Sequence, residues 1–249
     1  RGAEFEGGSH TIDDADFEAA QFGDTADFKL AEFRYADFSG VEFDDTAIFV
    51  EATFSDAALF QRAEFAASAL FSRTRFCTGA DFSSATFNES AHFDEVEFDA
   101  DSTFADAVFG DDATFVASEF NGSRNRHNDD ASFESVTFAG DADFDDASFR
   151  YANFAKTTFS DHGSFTGVTF ADAVRFRPQP AEGSETLVDL TDATVAGGVV
   201  EQPETGEVFY DCTRSEIGRV RFDDTNCKRE LFDYFRLCNT DFDGFDFTS

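Results

Sequence analysis

Phenylalanine recurs along this chain at steps of five or six residues, mostly in alternation, from Phe17 to Phe120 and again from Phe133 to Phe176. The position two residues before each ring is small: Ala in most units, and Val, Ser, Thr or Gly in the others. The residue between the two is usually polar. Side chains of an extended chain alternate between two faces, so the small residue and the ring share one face and the polar residue points away from it.

A helix is the alternative interpretation of this period, because an 11-residue repeat is also typical of right-handed coiled coils. On a helix, however, steps of five and six residues would divide the rings between two separate stripes. The remaining positions hold many Asp, Thr, Ser and Gly residues, which are unfavourable in helix interiors. The pattern therefore predicts very short strands joined by tight corners.

A strand and a corner, repeated without interruption, wind into a coil. Four sides close one square turn of about 20 to 22 residues, and successive turns stack about 4.8 Å apart, the spacing of neighbouring β-strands. Each ring then lies on the ring of the turn below. The sequence predicts an all-β fold, a right-handed quadrilateral β-helix (β-solenoid) with a length on the order of 50 Å for about ten turns.

This unit resembles that of the pentapeptide-repeat family, Ala-(Asp/Asn)-(Leu/Phe)-x-x. Close matches are Ala15-Asp16-Phe17, Ala26-Asp27-Phe28, Ala36-Asp37-Phe38, Ala80-Asp81-Phe82 and Ala152-Asn153-Phe154. The alternation of five and six residues is similar to a Phe-rich branch of the family, and we expect the added residue to bulge the same corners in successive turns. The resemblance also implies that a DNA-mimicking action on gyrase, known for some members, is one function to consider.

Two parts of the chain differ in composition. Residues 1–180 are the Phe-rich β-helix, and residues 181–249 are expected to continue the same coil with a degenerate repeat. We predict a loop at 201–208. We also predict a short helix insertion at 228–238, because Leu231, Tyr234, Phe235 and Cys238 recur there at helical spacing.

The composition is strongly acidic, with 52 Asp and Glu residues against 18 Lys and Arg and a formal net charge of -34. We interpret this charge as adaptation to molar salt, typical of a halophilic archaeon, because salt screens the repulsion between surface carboxylates. The alternative is an acidic surface that imitates nucleic acid or binds basic partners. Direct binding to nucleic acid is not expected, because the chain has no basic stripe to neutralise phosphates.

The sequence contains no recognisable catalytic, metal or cofactor motif. Cysteine occurs at Cys77, Cys212, Cys227 and Cys238. These residues form no C-x-x-C and no ligand spacing with histidine, so we interpret them as buried small hydrophobes rather than zinc ligands. Paired acids such as Asp44-Asp45 are interpreted as solvated corner residues, because a convex rod offers no cleft that would shift their pKa values. No run of 18 apolar residues is present to insert into a membrane.

One insert interrupts the ladder of rings between Phe120 and Phe133. It contains the only tight basic cluster of the chain, formed by Arg124, Arg126 and His127. It is either a surface insertion that the coil tolerates or a partner-contact loop that projects from a rigid scaffold.

The predicted helix has two interpretations as well. It is either a flap over the last turns or a docking element that contacts a partner through Leu231, Tyr234 and Phe235. We expect the open C-terminal turn to be covered by further chain or by a second copy in a homodimer, because bare strand edges promote aggregation.

Together these features predict a non-enzymatic protein-interaction scaffold with a protein partner, no cofactor and a cytoplasmic location. Membrane attachment through segments outside this chain stays open. One alternative function is a DNA mimic that inhibits or protects gyrase-like enzymes. A second is a structural spacer of a larger, membrane-attached protein.

Overall fold

The computed structural model describes residues 11–122, 130–180, 185–223 and 230–244, which wind into a parallel β-solenoid of ten turns. We number the four sides of the coil as faces 1 to 4. Face 1 is a ten-stranded parallel sheet. Its strands are Ala26–Asp27, Ala47–Ile48, Ala69–Leu70, Ala91–His92, Ala113–Thr114, Ala142–Asp143, Gly163–Ser164, Glu185–Asp189, Glu207–Asp211 and Phe235–Arg236.

The other three faces join into one 21-stranded sheet, because several strands run through a corner from one face to the next. The strands of face 2 are Thr11–Asp16, Glu32–Asp37, Thr53–Phe54, Arg75–Phe76, Glu97–Phe98, Glu119–Phe120, Ser148–Phe159, Thr169–Pro180, Thr194–Glu201, Glu216–Asp223 and Asp241–Phe242. The longer ones among them continue onto the later faces. Face 3 adds Ala58–Leu59, Ala80–Asp81, Ser102–Thr103 and Ala131–Ser132. Face 4 adds Gln21–Phe22, Glu42–Phe43, Glu64–Phe65, Thr86–Phe87, Val108–Phe109 and Thr137–Phe138.

The rings form continuous stacks inside the coil. On face 1, Phe71 stacks on Phe49 and Phe93 with ring centroids 4.8 and 4.7 Å apart. Across the axis, Phe60 of face 3 meets Phe49 and Phe71 edge to face, at 5.4 and 5.5 Å. Edge-to-face pairs add about 0.5–1.5 kcal/mol to the roughly 1.5–3 kcal/mol from burying each ring. The ladder of rings predicted from the sequence is therefore the core of the fold.

Two kinds of corner alternate around each turn. After faces 1 and 3 the step is five residues, closed by hydrogen bonds such as that from the Ala52 N–H to the Phe49 carbonyl at 2.9 Å, and Glu51 between them has a φ of 59°. After face 4, and after most strands of face 2, the step is six residues, as between Phe43 and Phe49. The longer corners lie above one another in successive turns, as the sequence predicts.

The coil continues past residue 180 with a different set of inner side chains. The strand pairing runs on, with Gly163 beside Val188 on face 1. Tyr210 then occupies the inner position that holds Ala in earlier turns, and Cys212 occupies the position of the ring. Large and small residues have thus exchanged places, which keeps the inner volume of the turn nearly filled.

The helix predicted at 228–238 is wrong in kind and in extent. Of its residues, 230–238 are described, and only Leu231–Tyr234 form a helix, a single 3-10 turn. Phe235–Arg236 is a strand paired with the preceding turn of face 1. The exposed backbone edge of that turn explains the difference, because the Cys212 N–H donates to the Arg236 carbonyl at 2.9 Å and the Arg214 N–H to the Cys238 carbonyl at 2.8 Å.

The cysteines are only partly the buried residues that the sequence predicts. Cys212 is buried, Cys77 is half-buried and Cys238 is exposed. Cys238 follows the inner position at Leu237 and therefore sits on a corner, where side chains point outward. Cys227 lies outside the described residues.

Candidate interaction surfaces

The predicted contact loop, with Arg124, Arg126 and His127, lies outside the described part of the chain. Directly after it in the sequence, Asp130 is buried and accepts two hydrogen bonds of 2.7 Å from the Arg150 guanidinium. Burial raises the pKa of Asp130, and the contact with Arg150 opposes that rise. A fixed ion pair thus anchors the coil directly after the loop.

Two of the three predicted docking residues, Tyr234 and Phe235, pack against the preceding turn of the coil. Tyr234 is buried, with its ring 5.9 Å from that of Phe209. Phe235 is half-buried and stacks on Tyr210 at 5.3 Å. Of Leu231 the backbone alone is described. The role of this segment, as a flap or as a docking element, therefore stays a prediction.

Three apolar side chains near the C-terminal end are exposed, and the sequence pattern did not single them out. Phe232 is 59% exposed, Phe242 39% and Leu237 37%. Leu237 and Phe242 occupy inner positions of the repeat in the last turn that the structure describes. Their place in the repeat is the signal by which the sequence could have identified them.

A narrow cavity of about 30 Å³ lies inside the last turns. Smaller side chains replace the rings there, among them Leu190, Val195, Val200 and Cys212. The Tyr210 hydroxyl reaches this apolar region and is fully buried, with no hydrogen-bond partner among the described residues. Burial raises the pKa of Tyr210. The exchange of large and small residues therefore leaves one polar atom unsatisfied.

A row of carboxylates follows the corner between face 4 and face 1, and we call it the acidic corner. Its members, all exposed, are Asp24, Asp44, Asp45, Glu89, Asp111, Asp112 and Asp141. Asp45 accepts hydrogen bonds from the Thr46 N–H at 2.7 Å and the Thr25 hydroxyl at 3.1 Å, and these bonds lower the pKa of Asp45. Within the described ranges, Asp44, Asp45, Asp111 and Asp112 take part in no ion pair.

Two other kinds of feature, a metal site and a membrane-spanning helix, were sought in the part of the chain that the structure describes. No three His, Cys, Asp or Glu side chains among those residues come together in a group that could hold a metal ion. No helix in the described segments is long and apolar enough to cross a membrane.

The coil geometry defines a parallel β-solenoid of short strands, and sequence comparison identifies its repeats. The profile described as "Pentapeptide repeats (9 copies)" matches residues 49–97 and 128–169. In these two segments the chain is similar to the pentapeptide-repeat family. Comparison with curated proteins gives no match.

Similar solved structures include the pentapeptide-repeat protein HetL and the protein QnrB1, both of low sequence identity. HetL, involved in heterocyst differentiation regulation in the cyanobacterium Nostoc sp. strain PCC 7120, is 10% identical, with 94% of this chain and 88% of HetL covered and a TM-score of 0.27. QnrB1, a plasmid-mediated fluoroquinolone resistance protein, is 14% identical, with 95% and 92% covered and a TM-score of 0.34. A second QnrB1 structure is 13% identical, with the same coverage and a TM-score of 0.35.

Proposed function

We propose that the chain is a non-enzymatic scaffold that binds a protein partner through the outer surface of its coil. The observation that carries the proposal is the separation of inner and outer positions. The inner positions are committed to packing, as in Ala47 and Phe49, which are both fully buried. The outer positions are free to vary and hold the acidic corner, so the coil presents carboxylates in fixed rows.

The chemistry of these rows favours a basic partner. Carboxylates such as Asp44 and Asp45 are exposed and lack an internal cation among the described residues, so a Lys or Arg side chain of another protein can pair with them. A rigid backbone lowers the entropy cost of ordering the surface on binding. Charge of one sign also accelerates encounter with a partner of the opposite sign.

The test is an affinity pull-down from the native host at its own salt concentration, read by mass spectrometry. We expect enrichment of at least one protein that stays bound when free polyglutamate is added in excess. Polyglutamate removes proteins held by simple ion exchange, since these recognise charge without shape. Recovery of no protein under this competition would overturn the scaffold proposal and leave the structural spacer as the better description.

A DNA mimic is a second candidate, supported by the length of the acidic corner. Its carboxylates occur in five of the six turns from Asp24 to Asp141, with a gap at the corner of Ala66, Ala67 and Ser68, and neighbouring turns lie about 4.8 Å apart. A row of negative charge of this kind can occupy a basic DNA channel. The test is inhibition of DNA supercoiling by a purified gyrase-like enzyme. Neutralisation by Asp44→Asn, Asp45→Asn, Asp111→Asn and Asp112→Asn should abolish the inhibition, and an unchanged effect would exclude this corner as its cause.

A further inference from the structure

Four aliphatic side chains lie together on the outer surface of face 1 and its adjoining corner. Ile48 and Leu70 are direct neighbours on paired strands. Val50 follows Ile48 at the corner, and the Leu30 N–H donates to the Val50 carbonyl at 3.0 Å, which places Leu30 beside it one turn earlier. We call Leu30, Ile48, Val50 and Leu70 the aliphatic patch.

The patch spans three turns of face 1, and farther along the same face Leu187 and Phe209 form a second apolar pair. Equivalent outward positions on the other described strands of face 1 hold Asp27, His92, Thr114, Asp143, Ser164, Asp189, Asp211 and Arg236. Cross-strand packing alone can favour a pair such as Ile48 and Leu70, by about 0.2–1 kcal/mol. That explanation does not extend to Leu30, which lies outside the strands.

Leu30 occupies a position that is unfavourable for a large apolar residue. Its φ is 60°, in the left-handed region, and its side chain is 52% exposed. Left-handed backbone costs a residue with a β-carbon about 1–2 kcal/mol. The other residues at this corner position are small or polar: Ala19, Gly40, Glu51, Arg62, Arg73, Ser84, Glu95, Asp106, Ala117, Ser135, Asp146, Lys156, Gly167, Asp192, Arg214 and Asn239. Leucine at this position therefore has no evident benefit for the isolated coil.

Carboxylates border the patch on the side where the chain enters face 1. Asp44 and Asp45 directly precede the strand that contains Ile48, and both are exposed. Asp27 lies beside Ile48 in the same outward row, one turn earlier. The surface thus places apolar contact area next to unneutralised negative charge.

We propose that the aliphatic patch is a docking surface for a segment of a partner protein that carries apolar side chains beside Lys or Arg. The proposal rests on the scaffold function and names the surface and the partner chemistry for it. Apolar side chains of the segment cover Leu30, Ile48 and Leu70, while its cations pair with Asp44 and Asp45. Exposed apolar patches with a polar rim are typical of protein-binding sites.

Two synthetic peptides of equal charge test the proposal, one of alternating leucine and lysine and one of alternating serine and lysine. Binding is measured by titration calorimetry. We expect the leucine peptide to bind at least about tenfold more tightly, the effect of burying one or two aliphatic side chains. The triple variant Leu30→Ser, Ile48→Thr, Leu70→Thr should bind both peptides alike.

The chain itself provides evidence that the triple variant folds. Ser84 and Ser135 occupy the corner position of Leu30 with φ values of 58° and 60°. Thr114 occupies the same outward row of face 1 as Ile48. Circular dichroism should therefore show an unchanged β-rich spectrum.

The matched control removes aliphatic side chains from the other faces. Leu59→Thr on face 3 and Val108→Thr on face 4 should leave the preference for the leucine peptide intact, since Val108 lies between Thr86 and Thr137 in its row. The proposal would be overturned if the control and the triple variant lost the preference for the leucine peptide equally, or if neither variant lost it. If the triple variant still bound a partner protein from the host, the docking proposal would also be overturned, but the scaffold function would be unaffected.

Discussion

The hydroxyl of Thr74 donates a hydrogen bond of 2.6 Å to the carbonyl oxygen of Phe49, one turn earlier in the coil. Thr74 is fully buried at an inner position that holds Ala in most units. The same carbonyl also accepts the N–H of Ala52 at 2.9 Å. Thr157 repeats the arrangement with the carbonyl of Phe133 at 2.7 Å. Small polar residues can therefore be buried in the core, because the backbone carbonyl of a Phe lies within hydrogen-bond distance of their hydroxyl group.

Replacing Thr74 by Val tests the value of this bond. The substitution keeps the shape of the side chain and removes the donor, while the Phe49 carbonyl keeps its bond from Ala52. We expect the free energy of unfolding to fall by about 0.5–1.5 kcal/mol, measured by urea denaturation. Thr53→Val on the outer surface of the same face is the control and should change stability little. A Thr74→Val variant as stable as the wild type would show that the hydroxyl contributes nothing.

The sequence allowed the fold to be predicted wherever one inner residue type dominates. From Phe17 to Phe176 the spacing of a single residue specifies strand, corner and register together. The last turns were harder, because Tyr210 and Cys212 exchange the sizes of the two inner positions. The aliphatic patch, of which Leu30 is exposed and Ile48, Val50 and Leu70 are half-buried, was not foreseen, since Leu30 and Val50 become neighbours only after the turns stack.

Phe71 tests how much one ring contributes to the stack. It contacts Phe49 and Phe93 face to face and Phe82 edge to face at 5.4 Å. We expect Phe71→Ala to lower the free energy of unfolding by about 3–5 kcal/mol in guanidinium denaturation, because the cavity cannot collapse between stacked turns. Phe22→Ala, at a half-buried ring near the first described turn, should cost clearly less. Equal losses at both sites would contradict a continuous, close-packed stack.

Gly198 is required by a close backbone approach, whereas Gly40 is not. A β-carbon on Gly198 would lie 1.9 Å from the Val174 carbonyl oxygen, and one on Gly40 would meet nothing within 4 Å. Both residues have positive φ, so both Ala variants share the left-handed cost of about 1–2 kcal/mol. We expect Gly198→Ala to lose more than about 3 kcal/mol, since the strands must separate. Thermal unfolding of the two variants measures the difference, and similar melting temperatures would contradict the close approach.

Cys212 predicts a loss of stability in alkaline solution. Burial raises the pKa of the Cys212 thiol from its ordinary value of 9.0 to about 12. Between these values the unfolded thiol ionises and the folded one stays protonated, so the unfolded state is favoured increasingly as pH rises. We expect the free energy of unfolding to fall from about pH 9 upward, and the fall to be smaller in Cys212→Ala. Cys238→Ala, at an exposed site, should follow the wild-type curve, and a Cys212→Ala curve parallel to wild type would contradict the assignment.

The unsatisfied hydroxyl of Tyr210 predicts a stabilising substitution. Its oxygen is buried and has no partner in the part of the chain that the structure describes, and leaving a polar group in that state costs about 1–3 kcal/mol. Tyr210→Phe removes the oxygen and keeps the ring that stacks on Phe235 at 5.3 Å. We therefore expect the free energy of unfolding to rise by about 1 kcal/mol in urea denaturation. Tyr35→Phe is the control, because the Tyr35 hydroxyl donates to Asp37 at 3.3 Å and its removal should bring no gain. A less stable Tyr210→Phe variant would show that the hydroxyl finds a partner in solution, for which the adjacent cavity has room.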